Sequence, residues 1–227
     1  MSSYWRLFLK RFHPEGIPLP GTVLYNALSG TNIFLQHYEL VAQDVARYGT
    51  AERLLDIGTG PGRLLLAMRK TLPDTKLVGI DISPAMVVKA RRNIGTCGPD
   101  SCIEVRVANA NALPFADGTF DRVVSTGSLH HWKDALHALS EVHRVLKVNG
   151  YALLYDLVHD MPKAIREDVR TQFGGFRLAL LWLHSFEEPF LNVEEMETLG
   201  RRTDFVLEGT RFIGALCCLA LRKAAQQ

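Results

Sequence analysis

The segment Asp56-Ile57-Gly58-Thr59-Gly60-Pro61-Gly62 puts an acid and three glycines where an apolar run, Arg53 to Ile57, gives way to a helical pattern. Glycines there let the backbone turn sharply and approach a ligand closely, and the N-terminus of the following helix faces the same spot. This predicts a nucleotide-like ligand. The spacing is GxGxG and not the GxGxxG of dinucleotide folds, and the Asp56 carboxylate would repel a pyrophosphate. It would attract the ammonium and sulfonium of S-adenosylmethionine. Asp81 closes the next apolar run, 25 residues after Asp56, where a carboxylate can accept hydrogen bonds from the vicinal hydroxyls of a ribose. Asp81 alone suits a nicotinamide cofactor equally, so an oxidoreductase is a rival reading. A third feature is Gly127-Ser128-Leu129-His130-His131-Trp132, which leaves a later apolar run at the end of the sheet where ligands bind in such folds. Histidine is the natural proton acceptor near neutral pH. His130 and His131 are therefore the candidate catalytic residues; the plainer alternative has one of them capping the next helix while Trp132 packs in the core.

These groups need a scaffold. From about residue 50, short apolar runs alternate with helical periodicity, the pattern of βα units that build a mostly parallel sheet. The expected strands are 53–57, 76–81, 103–108, 120–126 and 151–157. Helices are expected from Pro61 to Leu72, from Pro84 to about Ile94, and through Leu139 and Leu146 to a left-handed stop at Asn149-Gly150. A long helix is expected over 163–184, then one starting at Asn192 with Glu195 completing a capping box, then two apolar runs forming a terminal hairpin. Residues 1–49 lack the βα pattern and form an N-terminal helical cap or lid. The remainder, 50–227, makes the sheet domain, with 162–192 inserted over the substrate side.

The chain has 227 residues, 26 basic against 24 acidic side chains and 47% hydrophobic residues. That length supports one large domain, and the charge balance argues against nucleic acid, whose binders carry a basic stripe. Cys97, Cys102, Cys217 and Cys218 are too few for a disulfide scaffold and lack metal-ligand spacing, so no metal is expected and a reducing cytoplasm is the default. Wholly apolar runs such as Leu178 to Leu183 are too short to span a bilayer. Trp5, Phe8, Leu9 and Phe12, beside Arg6, Lys10 and Arg11, form an amphipathic basic helix, read either as a lid or as a contact with a membrane surface. Aromatic and apolar residues at Tyr25, Phe34, Tyr38, Phe173, Phe176, Leu180, Trp182 and Phe186 favour core packing and an apolar acceptor.

The sequence resembles the class I S-adenosylmethionine-dependent methyltransferases of the small-molecule type, including those of ubiquinone and menaquinone biosynthesis. LLDIGTGPG is similar to the family's first motif, VGIDIS to the second, NANALPFADGTFDRVVS to the adenine-contacting and fourth-strand region, and EVHRVLKVNGYALLYD to the helix and fifth strand. The resemblance covers roughly residues 50 to 158. It implies an α/β, Rossmann-like, doubly wound, mostly parallel sheet of seven strands with the last antiparallel.

The same resemblance implies that Asp56, Gly58, Thr59 and Gly60 meet the methionine part of the cofactor, Asp81 the ribose and Ile82 the adenine face. Asn109 and Ala110 would meet the adenine, and Ser125 and Ser128 would lie beside the cofactor. Asn109 departs from the aspartate of many relatives, since its amide oxygen accepts a hydrogen bond without charge assistance. The implied activity is methyl transfer to oxygen, carbon or nitrogen of a small molecule. STGSLHH lacks the Asn/Asp-Pro-Pro-aromatic motif of base methyltransferases. A protein or RNA methyltransferase and a non-catalytic cofactor-binding subunit are the alternatives; the oligomeric state is not legible.

Overall fold

The computed structural model describes residues 31–95, 103–174 and 190–225. The Trp5–Phe12 helix, Tyr25, Cys97, Cys102, Phe176, Leu180, Trp182 and Phe186 lie outside the described residues.

The apolar runs form β1 (Arg53–Ile57), β2 (Lys76–Asp81), β3 (Ile103–Val107), β4 (Phe120–Thr126), β5 (Leu146–Asp156), β6 (Val206–Ile213) and β7 (Leu216–Arg222). They make a single seven-stranded sheet in the order β3-β2-β1-β4-β5-β7-β6. Pairing is parallel from β3 to β5, and β7 runs antiparallel between β5 and β6. The resemblance implied seven strands, mostly parallel with the last antiparallel, and these form. Strands in its centre must be apolar on both faces because helices cover both. Leu54 and Leu55 show the period of two: Leu54 packs with Leu65 and Met68 on one face, Leu55 with Leu139 and Val142 on the other.

Helices α1 (Asn32–Ala46), α2 (Arg63–Thr71) and α3 (Pro84–Gly95) cover the first face, and α4 (Ala135–Val145) and α6 (Val193–Arg201) the second. Helix α5 (Lys163–Phe173) follows β5 and buries Val169. The Asn192–Glu195 capping box forms as expected, with the Asn192 side chain accepting from Glu195 N at 2.7 Å and Glu195 Oε2 accepting from Asn192 N at 2.8 Å. The terminal hairpin also forms.

Three boundaries differ. Helix α2 starts at Arg63 and not Pro61, because Gly60 and Gly62 hold φ of 52° and 77° and keep the loop out of the helix. Helix α4 stops at Val145, and β5 begins at once. There Lys223 Nζ donates to the carbonyls of His143 and Leu146, at 2.8 and 2.9 Å, satisfying helix-end acceptors. Asn149 is left-handed at φ 64°, but in a bulge of the strand: β4 pairs Phe120 with Leu146 and then Arg122 with Tyr151. The helix expected over 163–184 stops at Phe173, where Gly174 has φ 85°.

Helix α1 is fastened to the sheet by polar contacts as well as by Val41, Ala42 and Val45. Buried Asp44 accepts from the Tyr155 hydroxyl at 2.7 Å and pairs with Arg211, and His37 Nε2 accepts from Ala215 N at 3.1 Å. Among the described residues no helix is long and apolar enough to cross a membrane.

Candidate active site

The C-terminal ends of β1, β2 and β4 carry every site residue read from the sequence except Asn109 and Ala110, which follow β3. Gly58 N and Thr59 N both donate to Ile80 O at 2.9 Å, binding the glycine loop to β2. Gly58, Gly60 and Gly62 are all left-handed. A Cβ on Gly58 would lie 2.3 Å from Ser128 Oγ, and one on Gly62 would press on Ala90 and Ile94 at 3.2 Å. Gly58 thus permits the β4 loop to sit over the β1 loop, while Gly62 permits close packing of α2 on α3.

Asp56 is only 1% exposed, and its Oδ2 has no hydrogen-bond partner among the described residues. Burial pushes its carboxyl up to about 7; the Thr59 hydroxyl opposes the shift and the charge of Asp81 adds to it. Asp81 is engaged on both oxygens, accepting from Gly60 N and Ser83 N at 2.8 Å each. Burial raises it, against those two amides. Asp81 therefore ties the two loops together, and each oxygen retains lone-pair capacity for a further donor. Ile82 is half-buried beside it.

After β3, Ala108 N donates to Asp81 O at 3.1 Å, drawing the next loop to the same place. Asn109 Oδ1 accepts from Asn111 N at 2.9 Å, an Asx turn that takes up part of the acceptor capacity expected for adenine. Ala110 is half-buried. Asn111, which the sequence reading passed over, has a buried Oδ1 without a partner among the described residues. Ser125 is buried at the end of β4, with its hydroxyl likewise unpartnered among them.

The β4 loop begins at Gly127, whose N donates to Tyr155 O at 2.8 Å. Ser128 Oγ accepts from Trp132 Nε1 at 2.9 Å, and Trp132 is buried. Neither histidine caps the next helix; Asp134 does, accepting from His137 N at 3.0 Å. His130 and His131 share a turn of 3-10 helix but have different surroundings. His130 is buried, and its Nδ1 lies 2.9 and 3.0 Å from the two oxygens of buried Asp156 at the end of β5. Asp156 also accepts from His130 N and Leu157 N. His131 is half-buried, with its ring 4.0 Å from that of His130. Phe190 closes on His130 at 4.3 Å. Asp156 was missed in the sequence, where its only signal was an acid ending the fifth strand, as Asp56 and Asp81 end the first and second. His143 packs edge-on against Phe205, a structural role.

Residues 55–154 match the methyltransferase domain family. The demethylmenaquinone methyltransferase of Thermus thermophilus is 39% identical over 111 residues, covering 48% of this chain and 49% of that protein. The ubiquinone/menaquinone biosynthesis C-methyltransferase of Desulfotalea psychrophila is 32% identical over 159 residues, covering 66% of this chain and 63% of that protein. The chain spans about half the length of the curated relatives it matches. A SAM-dependent methyltransferase from Aquifex aeolicus has the same fold, with a TM-score of 0.62 at 21% identity over 82% of this chain and 90% of that one. With strand order, glycine loop and matched segment in agreement, residues 55–154 match a methyltransferase domain, and the sheet has the fold of S-adenosylmethionine-dependent methyltransferases.

Proposed function

We propose that this protein transfers a methyl group from S-adenosylmethionine to oxygen, carbon or nitrogen of a small, apolar or aromatic acceptor. The observation that carries the reading is the buried Asp56 carboxylate with an unpartnered oxygen beneath a left-handed glycine loop. A carboxylate taken out of water without a partner is costly, and a ligand ammonium supplies the missing charge. Bound there, the cofactor would bring a methyl carbon made electrophilic by its sulfonium. The chain's part is then to hold and shield: Asp56 for the amino-acid end, Asp81 for the ribose hydroxyls, and the loop after β3 for the adenine.

The relatives named above are methyltransferases of demethylmenaquinone and of ubiquinone and menaquinone biosynthesis. Their acceptors, the net charge of +2 and the apolar residues around the site support an uncharged ring-bearing acceptor here. Residues 1–49 and 162–192 are proposed to cover it, and the sparing use of cysteine supports a cytosolic setting. Calorimetric titration with S-adenosylhomocysteine and with nicotinamide cofactors tests the first half. Binding of the nicotinamide alone would overturn it. Transfer of labelled methyl to a panel of hydroquinones, phenols and amines tests the second half; cofactor binding with no transfer to any of them would make this a binding subunit.

A further inference from the structure

We propose that Asp156 is a positioning residue that makes His130, and not His131, the proton acceptor of the reaction, and that the methyl acceptor accordingly carries an ionisable hydroxyl. The inference rests on the methyl-transfer reading and narrows it.

The argument starts from what each Asp156 oxygen must do. Oδ2 accepts from His130 N at 3.0 Å and Oδ1 from Leu157 N at 2.9 Å, so two backbone amides lock the carboxylate in place. Both oxygens then face His130 Nδ1, at 2.9 and 3.0 Å. An acid with both oxygens committed to donors is held as an acceptor, which obliges Nδ1 to carry the ring proton. Nε2 becomes the basic nitrogen. The same carboxylate stabilises the imidazolium once Nε2 takes a proton.

The surroundings reinforce the choice. His130 and Asp156 are buried, where a charge-assisted contact counts for more than in water. His131, half-buried, and Phe190 face the His130 ring, and His159 lies across Phe190 at 6.2 Å. Asp156 Oδ2 lies 2.9 Å from His130 Nδ1 with both side chains buried. The loop is also held in register with the cofactor loop, since Ser128, two residues before His130, sits where a Gly58 Cβ would be and is fixed by Trp132.

A tautomer-locked base has no purpose for an acceptor without a proton to lose, such as a tertiary amine or a thioether. It suits a phenol or hydroquinol. The hydroxyl proton passes to His130 Nε2, the oxygen's electron pair forms the bond to the methyl carbon, and the pair of the broken carbon–sulfur bond returns to sulfur, leaving a neutral thioether. Where a ring carbon conjugated with that oxygen attacks instead, its own proton then moves to the oxygen as the ring regains aromaticity.

The discriminating variant is Asp156→Asn. An asparagine has one acceptor oxygen for two backbone amides, so its NH2 is turned toward Nδ1 and favours the opposite tautomer. Turnover of the full chain with a hydroquinone acceptor should fall by about a hundredfold or more, and S-adenosylhomocysteine affinity should stay within about threefold. The wild-type pH–rate profile should show an imidazole limb that the variant lacks. Independently of turnover, nitrogen NMR of the wild type should show His130 protonated at Nδ1 and not at Nε2 above neutral pH, with the reverse in Asp156→Asn. Wild-type turnover and pH profile in the variant, an Nε2–H tautomer in the wild type, or methylation confined to tertiary amines and thioethers would each overturn the assignment while leaving methyl transfer intact. Failure of the wild type to methylate any acceptor overturns the methyl-transfer reading, and the base role with it.

Discussion

The titration of Asp56 should make cofactor binding pH-dependent in a calculable way. Its carboxyl is fully buried, has an oxygen with no described partner, and is raised to about 7. Only the ionised form attracts a ligand ammonium, so affinity should follow the ionised fraction. Between pH 5.5 and 6.5 that fraction rises about eightfold, and affinity for S-adenosylhomocysteine should increase over that interval by about 1.2 kcal/mol, with the dependence levelling off above pH 7.5. The effect on stability has the opposite sign. Because the folded value lies above the unfolded one, the ligand-free protein is favoured while Asp56 is protonated, and this advantage is lost as pH rises from about 4 through about 7. Asp56→Asn should therefore stabilise the ligand-free protein at pH 8, by on the order of 4 kcal/mol at most, while weakening the cofactor complex. Calorimetry across pH gives the first quantity and urea denaturation the second. Affinity that is flat from pH 5.5 to 7.5, or a slope that survives in Asp56→Asn, would refute the reasoning.

Other perturbations probe separate links. Gly58→Ala combines a φ of 75° with a Cβ 2.3 Å from Ser128 Oγ; it should cost more than about 1 kcal/mol of stability and weaken the cofactor, measured by thermal shift with and without S-adenosylhomocysteine. Asp81→Ala removes the carboxylate proposed to accept from the ribose and also frees the amides of Gly60 and Ser83. It should weaken cofactor binding by about 1.5–3 kcal/mol, and unchanged affinity in calorimetry would remove Asp81 from the ribose site. Tyr155→Phe deletes the buried hydroxyl that holds Asp44 of α1. A loss of about 1–3 kcal/mol in denaturant titration is expected, and an unchanged midpoint would show that Arg211 alone suffices to hold Asp44.

Much of this site was legible from local signals. The glycines between an apolar run and a helical pattern located the tight loop after β1, because glycine tolerates three left-handed positions so close together. Asp56 and Asp81 were readable as strand-ending acids, and Asn192 with Glu195 as a cap, because each depends on neighbours within a few residues. The early stop of α4 was not readable. It depends on Lys223, about eighty residues away in the chain, whose ammonium reaches the carbonyls at the helix end, and on the pairing of Leu146 with Phe120.

The contrast is sharpest at the two histidines. The sequence determined that a histidine pair follows the fourth strand, and no local pattern distinguished one from the other. Only the tertiary structure decided between them, because the parallel pairing of β4 with β5 sets Thr126 opposite Tyr155 and so carries Asp156 to the His130 ring. The same applies to α1, whose place on the sheet depends on contacts from Asp44 to Tyr155 and Arg211 that lie more than a hundred residues along the chain. Local spacing specifies turns, caps and strand ends, since these are satisfied by adjacent residues. Which distant polar group meets which is settled only when the sheet closes and burial makes every unpaired group costly.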